Sequence, residues 1–143
     1  LFPHERINDI ENVISNIDKS INYFFQGLFT EPKQWILYLK DDKKSFLKFS
    51  NYGRTSNKLT FDAEYFKKMA SSNFTLCPTD IFPWSYRFFE AIICRSIPIL
   101  NDNEVDIFSH NFKFYRKSET HIYREDWVEH NIKQFKLYHM LKI

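Results

Sequence analysis

Cysteine, glycine and long uncharged stretches are all scarce in this chain. The two cysteines, Cys77 and Cys94, stand in apolar segments without CxxC or Cys/His spacing, which argues against a disulfide framework or a zinc site and favours a reducing compartment. The longest apolar run, Phe88 to Leu100, is interrupted by charged residues and falls short of the roughly 18 residues that a membrane-spanning helix requires. We therefore expect a protein that is cytoplasmic or peripheral to a membrane.

An excess of one charge is also missing. The chain has 20 Lys and Arg against 18 Asp and Glu, and both signs are mixed along its length to a net charge of +2. This balance gives no support to nucleic-acid binding. The five histidines lack metal-ligand spacing, and the chain has neither a Walker nor a GxGxxG loop. We therefore expect no bound metal and no nucleic-acid partner.

The length and apolar content are those of one domain. With 143 residues, 43% of them hydrophobic, the chain can bury a stable core without disulfides or a structural metal. We treat residues 1–143 as a single domain. Because the sequence starts at Leu1 and not at Met, we expect it to be a fragment or one half of something longer.

Short apolar runs alternate with amphipathic segments along most of the chain, as in βαβ units. Strands are predicted near Phe24, Phe46, Phe74, Ile97 and Phe112, and helices over Thr30–Leu39, Asp62–Ala70, Ser85–Arg95 and Glu125–Leu141. The predicted fold is α/β: a single Rossmann-like domain with a mostly parallel sheet and helices on both faces.

Isoleucines form a stripe at the start of the chain. Ile7, Ile10, Ile14, Ile17 and Ile21 recur every three or four residues with polar residues between them. This spacing predicts one amphipathic helix over the whole stripe. Its apolar face would pack on the domain or dock another part of the protein.

The helix predicted from Ser85 is the best place for a ligand. It follows a strand, and ligands of open parallel sheets bind beyond the carboxyl ends of the strands. Ser85 can cap the helix, Arg87 adds a positive charge in its first turn, and Glu90 follows one turn later. A cation beside a helix start suits a diphosphate, and a carboxylate can accept two hydrogen bonds from a ribose. The alternative is that Arg87 and Glu90 form an ordinary solvated pair.

Three segments resemble the signature of exostosin-like glycosyltransferases, which have the two-domain GT-B fold. They are Tyr65 to Pro78, the run Ser85-Tyr-Arg-Phe-Phe-Glu-Ala91, and Ser96-Ile-Pro-Ile-Leu100 followed by Asp102. Phe24 to Leu39 looks like the first strand and helix of the carboxyl-terminal, donor-binding domain of that family. The resemblance implies transfer of a sugar from a nucleoside-diphosphate sugar to a glycan or another acceptor, as in polysaccharide biosynthesis. It implies no cofactor and no obligatory metal.

The resemblance also implies roles for individual residues. Glu90 resembles the glutamate that holds the donor ribose, while Ser85 and Arg87 match the Ser-x-Arg beside the donor phosphates. Lys33 is the candidate for the basic residue on the first helix of the donor domain, although a first-turn lysine can also be simply solvated.

Two further residues are candidates for contacts with the donor, and both precede Ser85. Trp84 could stack on a base or pack beside Pro83. Asp80 is also a predicted contact of the donor. At Thr79-Asp80, however, the sequence departs from the family, which usually has a charged residue followed by glycine there. The sequence indicates no catalytic residue.

Two classes of function follow from these patterns. The first is the donor-binding half of a glycosyltransferase, with an acceptor-binding domain outside this chain. The second is a non-catalytic nucleotide-binding or protein-interaction module. If the chain had no ligand, Arg87 and Glu90 would point into solvent away from any cleft.

Overall fold

Five parallel strands form one sheet in the computed structural model, which describes residues 4–50, 62–78, 86–104 and 111–140. The strands are β1 (Ile21–Leu28), β2 (Phe46–Ser50), β3 (Ser72–Leu76), β4 (Ile97–Leu100) and β5 (Tyr115–Arg116), in the spatial order β2-β1-β3-β4-β5. Every neighbouring pair is parallel. The predicted α/β fold is confirmed.

The direction in which successive strands are added to the sheet changes between β1 and β3. Phe24 pairs with Phe46 of β2 on one side and with Thr75 of β3 on the other, so the chain leaves β1 in one direction and returns past it. This reversal is the topological switch point, where open α/β sheets form a crevice beyond the carboxyl ends of the strands.

Helices cover both faces of the sheet. They are α1 (His4–Ile14), a 3₁₀ helix (Glu31–Leu39), α2 (Ala63–Ala70), α3 (Tyr86–Ile93) and α4 (Glu125–Met140). The first face packs against α1, α2 and α3 through a cluster that includes Ile10, Phe24, Tyr65, Phe66, Phe88 and Ile92. The second face packs against the 3₁₀ helix and part of α4 through Phe25, Ile36, Phe74, Ile97, Ile99 and Val128. The 3₁₀ helix after β1 and the helices α2 and α3 therefore lie on opposite faces of the sheet.

Two elements differ from the sequence-based prediction. The isoleucine stripe is not one helix: α1 ends at Ile14, and Ile21 is already the first residue of β1. Asn16 has a left-handed backbone (φ 62°), which a continuing helix cannot contain. The last strand comprises Tyr115–Arg116 and is not centred on Phe112, which is buried in the cluster on the first face.

Candidate functional site at the carboxyl edge of the sheet

Two basic side chains lie at the carboxyl end of β1. Arg87 is the second residue of α3, and Lys33 lies in the first turn of the 3₁₀ helix. The 3₁₀ helix follows β1 in the chain, and α3 follows β3. The two cations therefore come from the helices that follow the two strands of the switch point.

Arg87 reaches across the end of the sheet. Its helix packs on the first face, yet its guanidinium carbon lies 4.6 Å from the ring centroid of Phe25, which belongs to the cluster on the second face. Nη2 donates a hydrogen bond to the carbonyl oxygen of Gln26 at 3.2 Å. The guanidinium also occupies the space that a Cβ atom on Gly27 would fill. Arg87 is thus positioned by residues near the carboxyl end of β1.

Lys33 is buried, with 7% of its surface exposed, and so is not the solvated lysine that its first-turn position allowed. Its Nζ donates to the carbonyl oxygen of Leu28 at 3.0 Å. Leu28 is the last residue of β1, and Gln26, which holds Arg87, lies two residues before it. Residues two apart in a strand are separated by about 6.6 Å, so both cations reach the same short stretch of β1.

The 3₁₀ helix and α3 both begin at this edge of the sheet. The N–H groups of a helix start act as a partial positive charge. Arg87 and Lys33 add two cations beside these helix starts, an arrangement that favours an anionic ligand.

Glu90 is held in a different environment. It is 3% exposed, and its Oε1 accepts a hydrogen bond of 3.0 Å from the hydroxyl of Tyr65, which is itself 1% exposed. This bond joins α2 to α3. Burial raises the pKa of the neighbouring Cys94 thiol, and the Glu90 carboxylate raises it further. Glu90 therefore lies one helical turn deeper than Arg87, inside the cluster of the first face.

Three of the predicted donor contacts, Ser85, Trp84 and Asp80, lie outside the residues that the structure describes. Asp102, which belongs to the quoted signature, lies just after β4. Its carboxylate accepts a hydrogen bond from the Ser118 N–H, which lowers the pKa of Asp102, and the nearby Lys117 and Arg116 lower it further. Asp102 thus fixes the turn after β4 to the segment after β5.

The sequence reasoning missed Gly27 and Tyr65. Gly27 carried a readable signal, because a glycine inside an apolar strand pattern often marks close approach of another group. Tyr65 carried none: its position on the buried face of α2 was visible, but not the carboxylate that its hydroxyl meets.

Among residues 4–50, 62–78, 86–104 and 111–140, no helix is long and apolar enough to cross a bilayer. No group of three or more His, Cys, Asp or Glu side chains comes together there as a metal site would require.

The domain is thus a Rossmann-like α/β domain with two cations at the switch point of its sheet, the place where open α/β sheets bind their ligands. A family model described as the RXYLT1 C-terminal domain matches residues 34–134. Since the match covers more than half of the chain, this chain belongs to that family, the carboxyl-terminal domain of a ribitol xylosyltransferase with a GT-B fold. The expected glycosyltransferase domain is thereby confirmed. In a comparison with curated proteins, none matched this chain.

Proposed function

We propose that this domain binds the donor of a glycosyltransferase reaction, a nucleoside-diphosphate sugar, at the carboxyl edge of β1 and β3. The observation that carries the proposal is the convergence of Arg87 and Lys33 on the carbonyls of Gln26 and Leu28. The family match supports the reaction class. The finer assignment to exostosin-like enzymes rests on the sequence segments given above.

The diphosphate is the part of the donor that best fits the two cations. Guanidinium groups bind phosphate oxygens through two parallel hydrogen bonds, and an ammonium adds a compact point charge. Both groups stand beside helix starts, whose N–H groups favour the same anion. We infer that Arg87 and Lys33 contact the two phosphates, with Ser85 contributing from the start of α3.

Glu90 has the chemistry for the ribose. One carboxylate oxygen accepts the Tyr65 hydroxyl, and a carboxylate is the kind of acceptor that sugar hydroxyls bind. Its position three residues after Arg87 brings it to nearly the same side of α3. We propose that it accepts hydrogen bonds from the ribose, while Trp84 and Asp80 act near the base or sugar.

Transfer itself needs an acceptor. In the GT-B fold two halves face each other across a cleft, and reacting atoms must be held within about 3–3.5 Å. We therefore expect this chain alone to bind donor and to transfer sugar slowly or not at all. The acceptor would be a glycan or related hydroxyl compound held by another domain.

The test is calorimetric titration of the chain with nucleoside diphosphates and their sugars. The panel includes donors that carry xylose, because the family is named for a ribitol xylosyltransferase. We expect one nucleoside diphosphate to bind, and Arg87→Ala to weaken it about 10- to 100-fold through loss of charge-assisted hydrogen bonds.

Arg124→Ala is the matched control. Arg124 is exposed and paired with Asp126 at the start of α4. It should leave the affinity within about twofold. Absence of binding to every nucleoside diphosphate, or equal affinity in the Arg87→Ala variant and the parent, would refute the proposal.

A further inference from the structure

We propose that Gly27 is a positioning residue for Arg87: the missing side chain at this point of β1 creates the seat in which the guanidinium lies, and so sets its geometry toward a diphosphate. The ligand part of this inference rests on the proposed function. The seat itself is a property of the folded chain and can be tested without any ligand.

The first observation is steric. A Cβ atom built on Gly27 overlaps Nη2 of Arg87, and the next nearest atoms are Cζ of Arg87 at 3.6 Å and the ring of Phe25 at 3.8 Å. The closest obstacle is therefore the tip of a long, flexible side chain and not the backbone. An alanine at this position should displace the guanidinium and leave the strand in place.

The second observation is that consecutive residues of β1 define one position for the guanidinium. Phe25 provides a ring face at 4.6 Å, Gln26 provides a carbonyl acceptor at 3.2 Å, and Gly27 leaves the space between them. Arginine loses considerable side-chain freedom when it is fixed, so a side chain that is already held loses less on binding a ligand. The seat therefore preorganises the cation.

The third observation is the location of Gly27 in the sheet. Gly27 pairs with Phe49 of β2, one residue before the carboxyl end of β1. A side chain here would occupy the place of the Arg87 guanidinium, near the carboxyl end of β1. The one glycine of β1 thus coincides with the place where another element must approach the backbone.

The test is a double-mutant cycle with Gly27→Ala and Arg87→Ala, read as the affinity for the nucleoside diphosphate, the matching nucleoside and inorganic pyrophosphate. We expect Gly27→Ala to lower the affinity for the nucleoside diphosphate and for pyrophosphate about tenfold. The affinity for the nucleoside should fall less than about twofold. In the Arg87→Ala background the same substitution should change the diphosphate affinity less than about twofold. Equal losses in both backgrounds would overturn the inference, because the glycine would then act through the strand and not through Arg87.

A ligand-free measurement separates this inference from the proposed function. In the parent, NMR should show the Arg87 side-chain protons shifted by the ring current of Phe25, and Gly27→Ala should remove that shift while the melting temperature stays within a few degrees. If no nucleotide binds but Gly27→Ala removes this shift, the proposed function is wrong, and the inference that Gly27 positions Arg87 is confirmed. If the shift survives in the Gly27→Ala variant, that inference is wrong.

Discussion

The two edges of the sheet both use basic side chains to bind backbone carbonyls, but they do so in opposite electrostatic surroundings. At the amino edge, Lys19 donates to the carbonyls of Ser72, Cys94 and Arg95. Two of these follow directly after α3, where a helix end is partially negative and a cation is favoured. At the carboxyl edge, Arg87 and Lys33 stand at helix starts, where a cation is disfavoured. The amino edge therefore places its cation at a helix end, whereas the carboxyl edge brings two cations to helix starts, an arrangement that favours an anionic ligand.

The strongest way to break this comparison is to remove both cations of the carboxyl edge. Lys33→Met with Arg87→Met keeps the apolar stems and deletes two charged contacts worth about 1.5–3 kcal/mol each. We expect the affinity for the nucleoside diphosphate to fall by roughly 100-fold or more in calorimetry.

The paired control is Lys67→Met with Arg124→Met, which deletes the same charges from exposed ion pairs. It should change affinity only slightly. Similar losses in the two double variants would mean that net charge, and not the carboxyl edge, attracts the ligand.

The next prediction concerns the stability contributed by the hydrogen bond that holds Glu90. Tyr65→Phe removes a buried hydroxyl from a carboxylate and should lower the free energy of unfolding by about 1.5–3 kcal/mol, measured by urea denaturation. Tyr115→Phe removes a hydroxyl from the neutral carbonyl of Ile122 and should cost about 0.5–1.5 kcal/mol. A larger loss of stability in Tyr115→Phe than in Tyr65→Phe would show that the hydrogen bond from Tyr65 to Glu90 contributes little.

The amino edge should respond in stability alone. Lys19→Met removes a donor from the carbonyls at the ends of α3 and at the start of β3, so we expect a loss of about 1–3 kcal/mol in the free energy of unfolding. The affinity for the nucleoside diphosphate should stay the same. A fall in affinity comparable to that of Arg87→Ala would contradict the division between the edges.

The smallest effect is a pH dependence from the same lysine. Burial lowers the pKa of Lys19 to about 8 from its ordinary 10.5. Between these values the unfolded lysine binds more protons than the folded one, so the contribution of Lys19 to the free energy of unfolding rises with pH from about 8 upward. Burial raises the pKa values of the Cys94 thiol, Tyr23 and Tyr123, and these groups oppose the rise. The parent should therefore gain stability relative to Lys19→Met between pH 8 and 9.5; parallel curves would contradict this.

The sequence predicts the fold well because most signals are local. Strand and helix periods alternate, and the sheet follows from them. The stripe from Ile7 to Ile21 misled because a helix and the strand after it place apolar residues at compatible spacings. The signal for the break is Asn16, since Asn is, after Gly, a common residue in the left-handed conformation that ends a helix. The register of β1 with both neighbours comes from tertiary pairing, which no local period encodes.

The site divides in the same way. That Arg87 begins a helix after a strand could be read from the sequence, because both elements are local. That its guanidinium crosses to Phe25, or that Lys33 turns back to Leu28, depends on how helices pack against the sheet. The sequence could name these cations but not the carbonyls that hold them.

The position of β1 between β2 and β3 has a consequence for the order of folding. The pairing of Phe74 with Ile97 closes a shorter loop than the pairing of Ile21 with Ser72, which must also enclose the 3₁₀ helix, β2 and α2. Shorter closures cost less chain entropy and form sooner. We therefore expect pulse-labelled hydrogen exchange to protect β3 and β4 before the β1–β3 seam, and simultaneous protection would refute this order. The crevice at the pairing of β1 with β3 would then form late in folding, only when the unit containing β1 and β2 pairs with the unit containing β3 and β4.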